Sequence, residues 1–248
     1  MESNIKHRFG SITNCMNEAD LIGGCLDLLD VDEKVVIISE FSYMGLPVKH
    51  DASEFIAKKH GAHVIRTKEY DQSVMRNLGI QYLRTKGIEF VFIVDADEWW
   101  SSEAMWNAKK WIIENPRYGY KKKFKNMFRR PTWWCVDDGN GDNGSPVCIH
   151  INQEMRGRRG TSCDVFPLEI EGHIYHFSYV RRPAKIAEKL ANFSHASEVI
   201  PNWYEDVFLP ATLESRNVHP TNGHVWPLLS EIELPREIKK LMPKNIWI

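Results

Sequence analysis

Four apolar runs separated by three segments of helical periodicity fill the first hundred residues, and this alternation constrains the fold more than any other feature. FGSITNC (9–15), EKVVIIS (33–39), AHVIRT (62–67) and EFVFIVDAD (89–97) read as strands. Between the first two, NEADLIGGCLDLL puts Leu21, Ile22, Cys25, Leu26 and Leu29 on one helical face. DASEFIAKKHG (51–61) has Asp51 as N-cap, Glu54 as its capping-box partner and Gly61 as a stop. DQSVMRNLGIQYLRTKG (71–87) aligns Val74, Met75, Leu78, Tyr82 and Leu83 and ends at Gly87. Such spacing predicts a mostly parallel sheet covered on both faces, with any ligand beyond the carboxyl ends of the strands. Gly23 and Gly24 stand inside a helical pattern, where each is unfavourable by about 1 kcal/mol against alanine. The sequence gives no reason for that pair.

The fourth strand runs into Asp95-Ala96-Asp97-Glu98 and then Trp99-Trp100. Neighbouring carboxylates repel unless positive charge neutralises them. One reading is a simple turn after a strand. A second is a phosphatase of the haloacid-dehalogenase type, which wants a small Thr or Val where Trp99 stands. The third is a D-x-D site for a divalent cation, Mn2+ or Mg2+, gripping the diphosphate of a nucleotide-sugar. In that reading Asp97 holds the ion, with Asp95 helping directly or through water. Trp99, Trp100, Trp106 and Trp111 read as packing residues.

After Trp111 the rhythm changes. A Gly/Asn/Asp-rich loop at 138–145 predicts a hairpin or a longer excursion, HIYHFSYV (173–180) a strand, and PAKIAEKLANF a helix. Between 117 and 190 there are fourteen Lys or Arg against eight Asp or Glu, so this segment is basic in a chain of formal net charge −1. Five cysteines lack any C-x-x-C spacing, the N-terminus lacks a secretory apolar segment, and no run is long enough to span a bilayer. The expectation is a reduced, cytoplasmic protein. Two sequons, at Asn143 and Asn192, are of a kind that occurs often by chance.

Several stretches resemble the GT-A glycosyltransferases, especially the family-2-like group. Thr13-Asn14-Cys15-Met16-Asn17-Glu18 is similar to that family's opening strand and N-E turn, and Arg76-Asn77-Leu78-Gly79 to its A-R-N-x-G helix start, with Met75 in place of the usual Ala. Asp95-Ala96-Asp97 matches its D-x-D position. HFSYVRRPAKIAEKLANFSHASEV and Asn217-Val218-His219-Pro220 look like its C-terminal signatures. The fold implied is α/β, a GT-A-type three-layer sandwich around a mostly parallel, Rossmann-like sheet with C-terminal helices. It would form a single domain over 1–248: a nucleotide-sugar-binding half (1–115), an acceptor-side half (116–182) and a C-terminal helical extension (183–248).

The resemblance implies a nucleoside-diphosphate-sugar donor, with UDP-sugars first, and places Asn17, Glu18 and Glu40 at the nucleotide. It puts Arg76 and Asp95 at the diphosphate, and Asp95, Asp97 and His176 at the metal. His173 is the other histidine candidate, and on a regular strand it faces away from His176. Inverting transfer, which the resemblance implies, needs a carboxylate to take the acceptor's proton. Asp164 ranks first for this role and Glu169 second, with Asp137, Asp138 and Glu171 also suited by type. A nucleotidyltransferase is set aside because TNCMNEAD lacks a Gly-rich loop carrying Arg and Lys.

KKKFKNMFRR alone reads as a solvated basic face, but with RGRRG, VRRPAK and the aromatics Phe124, Phe128, Trp133 and Trp134 it suggests a phosphate-bearing acceptor. This is either a hydroxymethylated base in DNA or a phosphorylated glycan such as lipopolysaccharide core. The alternative from another class is a sugar-nucleotide-binding protein without transfer activity.

Overall fold

The computed structural model describes residues 7–136, 144–157, 159–192, 195–221 and 226–246. Strands β1 (Phe9–Cys15), β2 (Glu33–Ser39), β3 (His63–Thr67) and β4 (Phe90–Ile93) fall where the apolar runs predict them. They alternate with helices α1 (Ile22–Leu28), α2 (Ser53–Lys59) and α3 (Gln72–Thr85). Side chains alternate across the sheet. In β2, Val36 and Ile38 enter one core and Val35 and Ile37 the other, and β4 divides Phe90 and Phe92 from Val91 and Ile93 in the same way. A strand buried on both faces must be apolar throughout, which is why these runs show no polar alternation.

The chain continues through β5 (Glu98–Trp100), α4 (Ser102–Glu114), β6 (Gly119–Lys122), β7 (Lys125–Phe128), β8 (Trp133–Val136) and β9 (Ser145–His150). Then come β10 (Met155–Arg156), β11 (Gly160–Thr161), β12 (Phe166–Pro167), β13 (Ile174–Tyr179), α5 (Pro183–Asn192), β14 (Leu228–Glu231) and α6 (Arg236–Leu241). The main sheet has the order β12-β6-β9-β4-β1-β2-β3, with every neighbour parallel except around β9, which runs against both β4 and β6. A second sheet has the order β14-β8-β7-β13-β5. The architecture is an α/β sandwich around a mostly parallel sheet, as the resemblance implies.

Several local expectations change. The fourth strand stops at Ile93, four residues short of Asp97, because Glu98–Trp100 pairs antiparallel with β13 of the second sheet. Asp95 and Asp97 therefore lie on the short link between two sheets. β8 and β9, which flank the Gly/Asn/Asp-rich stretch, belong to different sheets, and residues 137–143 of that stretch lie outside the described residues. Asp71 caps α3 as a side-chain acceptor, but α2 starts later than expected: Asp51 accepts from the amide of Ser53, and Glu54 pairs with Lys58 and Arg66. The buried face of α3 is Met75, Arg76, Gly79, Ile80 and Leu83, and Val74 is exposed. Trp99 and Trp100 are buried, whereas Trp106 is exposed.

The glycine pair of α1 has a packing reason. A Cβ on Gly24 would lie 2.3 Å from the indole of Trp99, so the helix can sit on the tryptophan only without a side chain there. Segment 183–248 is only partly helical. Its β14 extends the second sheet, and Ile238 of α6 is buried in the main core. All five cysteines are unpaired, and Cys163 alone is not buried. Among the described residues no helix is long and apolar enough to cross a membrane. Asp137, Asp138, Asn143 and part of the Asn192 sequon lie outside the described residues.

Candidate active site

Beyond the ends of β1 and β4 lies a cleft of about 470 Å3. After β1 the chain turns sharply at Asn17, whose φ of 56° is in the left-handed region that asparagine tolerates. Its side chain ties three segments together. Oδ1 accepts from the Asp51 amide at 3.1 Å, and Nδ2 donates to the Lys49 carbonyl and to Glu188 Oε1, each at 3.1 Å. Glu18 follows, its amide donating to Ser53 Oγ at 2.8 Å. On the other side β13 brings His176 and Ser178, the turn into α5 brings Arg181, and α5 itself brings Lys189.

The acids between the sheets are neutralised by the chain itself. Arg76, buried on α3, donates to Asp95 Oδ1 at 2.7 Å, and Arg159 reaches Asp95 Oδ2 at 3.3 Å. Arg159 also holds Glu98 with both Nη atoms and donates to the carbonyls of Ile93 and Pro146. Asp97 Oδ2 accepts from Arg181 Nη2 and from Lys189 Nζ, both at 2.8 Å. Arg181 spans from there to Glu18. Four carboxylates, on Glu18, Asp95, Asp97 and Glu98, thus meet four cations, on Arg76, Arg159, Arg181 and Lys189. Removing one member of such a buried pair costs about 3–5 kcal/mol, because its partner is left charged and desolvated.

These environments split the acids. Burial works to raise the Asp97 carboxyl, but Lys189, His176 and Arg181 outweigh it and hold the group far below the usual carboxylate range. Burial is likewise overcome at Asp95, where Arg76 and Arg159 lower the pKa. Glu18 goes the other way, with burial raising it more than Arg181 lowers it.

The metal implied by the resemblance does not fit this donor set. Both oxygens of Asp95 are engaged by arginines, and Asp97 already shares one negative charge between Arg181 and Lys189. What remains is Asp97 Oδ1 and His176 Nε2, 3.6 Å apart, two donors beside two cations that would repel a dication. His176 Nδ1 is 2.9 Å from Asn126 Oδ1, an acceptor that assigns the ring proton to Nδ1. Among the described residues no three His, Cys, Asp or Glu are grouped to hold an ion.

Of the residues singled out in the sequence, Asn17, Glu18, Asp95, Asp97 and His176 meet at the cleft. Arg76 does not line it and acts behind Asp95. Glu40 is exposed and outside the lining, and its amide and carbonyl bridge Thr67 and Val48. Asp164 and Glu169 are exposed and away from the cleft, with Asp164 beside a separate depression near Tyr118 and His150. The structure therefore does not bring either proposed base to the site. Among the carboxylates that line the cleft, only Glu188 is not tied to an arginine; it is held by Lys185 and Asn17.

Arg159 and Arg181 were read in the sequence as parts of basic clusters, and Lys189 only as one cation of the basic segment 117–190. Their real signal was the run of acids that had to be neutralised somewhere. Other members of those clusters are half-buried and engaged with the rest of the chain. Arg129 caps the carbonyls of Phe208 and Ala211, Lys122 donates to Ile170 O, and Lys125 lies over the Trp134 ring at 4.3 Å.

No family model and no curated protein matches the chain. Among solved structures, it is similar to Staphylococcus aureus TarS 1-349 in complex with UDP-GlcNAc, at 16% identity and a TM-score of 0.48, over 75% of this chain and 67% of that one. A further structure of TarS 1-349 matches at 15% identity and 0.48, over 82% and 76%. The 4-diphosphocytidyl-2C-methyl-D-erythritolsynthase of Anaerococcus prevotii matches at 11% identity and 0.37, over 59% and 72%.

Proposed function

We propose that the protein is a glycosyltransferase that moves a sugar from a nucleoside-diphosphate-sugar to an acceptor hydroxyl. The observation that carries this reading is one cleft at the carboxyl ends of β1 and β4, where the Asn17-Glu18 turn and the Asp95-x-Asp97 link face Arg181, Lys185 and Lys189. Such a cleft can take the base and ribose against the end of β1 and the diphosphate against the cations. Direct displacement inverts the anomeric carbon. Glu188, the cleft carboxylate outside the arginine network, is placed to accept the acceptor's proton.

Because several residues of the basic clusters neutralise buried acids or cap carbonyls, less of that charge faces solvent than the sequence suggests. A DNA acceptor still predicts duplex binding that falls steeply with salt. A phosphorylated glycan acceptor predicts no such binding to arbitrary duplex.

The test is a screen of UDP-, GDP-, ADP- and CDP-sugars, scoring the shift in melting temperature and hydrolysis of the donor. One donor should stabilise the fold and be hydrolysed slowly. Binding without hydrolysis or transfer would favour a sugar-nucleotide-binding protein, and no binding by any donor would end the reading.

A further inference from the structure

We propose that the positive charge facing the donor's diphosphate is carried by the chain itself, on the Lys189 ammonium supported by Arg181, so that donor binding needs no divalent ion. The inference rests on the glycosyltransferase reading and concerns its electrophile.

Lys189 reaches the cleft from α5. Its Nζ donates to Asp97 Oδ2 and to Ser178 Oγ, each at 2.8 Å. An ammonium has three N–H donors, so one remains. The side chain is 19% exposed against 8% for Asp97, which puts the cation on the cleft side of the pair. The ring of Tyr179 lies with its centroid 5.8 Å from Nζ. Arg181 is more deeply buried and spans Glu18 and Asp97, fixing the carboxylate that holds the ammonium. Lys185 lines the same wall one turn away.

Asp97 is then a positioning residue. It orients a cation and does not ligate a metal. Placing a dication on Asp97 Oδ1 would put it next to two cations sharing that single carboxylate, and displacing them would leave Glu18 and Arg181 unpaired in the interior. An ammonium already in position needs no such rearrangement.

In the transfer step the acceptor oxygen bonds to the anomeric carbon as the bond from that carbon to the β-phosphate oxygen breaks. The electron pair leaves on the nucleoside diphosphate, whose added negative charge lies against Lys189, and the acceptor's proton passes to the cleft carboxylate.

The experiment is calorimetric titration of the full chain with UDP, GDP, ADP and CDP, once in excess EDTA and once with Mn2+. One diphosphate should bind with the same affinity, within about twofold, in both conditions. Lys189→Met should weaken it by about tenfold or more, with the melting temperature monitored to confirm the fold, and Lys189→Arg should restore part of the loss. A simple structural role for Lys189 would leave affinity in EDTA unchanged in the folded Lys189→Met variant, and that result would overturn the proposal. Binding that appears only with Mn2+ would overturn it too while leaving the glycosyltransferase reading intact. Binding in neither condition would remove both.

Discussion

Arg159 and Glu98, 61 residues apart in the chain, face each other in the interior: both Nη atoms of the arginine reach the carboxylate, Nη2 at 2.7 Å from Oε2. Glu98 is 1% exposed, and Arg159 continues to Asp95 and to the carbonyl of Ile93. One guanidinium thus joins the end of the main sheet to the first strand of the second.

Arg159→Met should destabilise the protein by about 3–5 kcal/mol in denaturant unfolding, because Glu98 would be left charged without a partner. Adding Glu98→Gln should recover much of that loss. A double-mutant cycle showing simple additivity would mean that the pair is not coupled as described.

Gly24→Ala should cost about 1–3 kcal/mol by overpacking, since the new methyl lands on a buried indole that has no room to move. Gly23→Ala should be milder, because its nearest neighbours are side-chain atoms of His60 and Ile56 at 3.1 and 3.2 Å. The ranking can be read from two thermal melts.

Acid stability should depend on Asp97. Its pKa in the fold lies below the ordinary 3.8, so the unfolded chain binds the proton more readily and stability rises with pH through that window. The contribution is complete above about pH 4 and drains away as pH falls towards the folded value. In Asp97→Asn the slope of unfolding free energy against pH below 4 should be shallower. Glu18 has the opposite sign: its raised pKa means stability falls as pH rises above the ordinary 4.5, and Glu18→Gln should remove that decline. Chemical denaturation at a series of pH values measures both.

Glu188→Gln should lower the rate of transfer by about a hundredfold or more while leaving donor affinity within a few-fold, as expected for loss of a general base. Asp164→Asn and Glu169→Gln, both outside the cleft lining, should change neither. A large rate loss in Asp164→Asn with Glu188→Gln unaffected would return the base to the sequence-based choice.

The strands, the helices and the ligand-bearing edge of the sheet were legible because each is written in local periodicity. The run Val35–Ile38 can only be a strand buried on both faces, and Gly87, with its φ of 66°, stands just past the end of α3 as expected. Other features were not local. The inner face of α3 is rotated from the simple apolar count because Arg76 is buried there to meet Asp95, and a charged residue at an inner position leaves no trace in hydrophobic spacing. The fourth strand ends early because the residues that follow it, Glu98–Trp100, pair with the distant β13.

The sequence by itself determined that acids would collect at the end of a buried strand and that something positive had to oppose them. Only the tertiary structure decided what that is. The partners lie between 19 and 163 residues away, on α3, a ribbon, the turn into α5 and α5 itself. Coulombic pairing carries no memory of chain distance: it depends on where the fold places each charge and on how far burial removes the water between them.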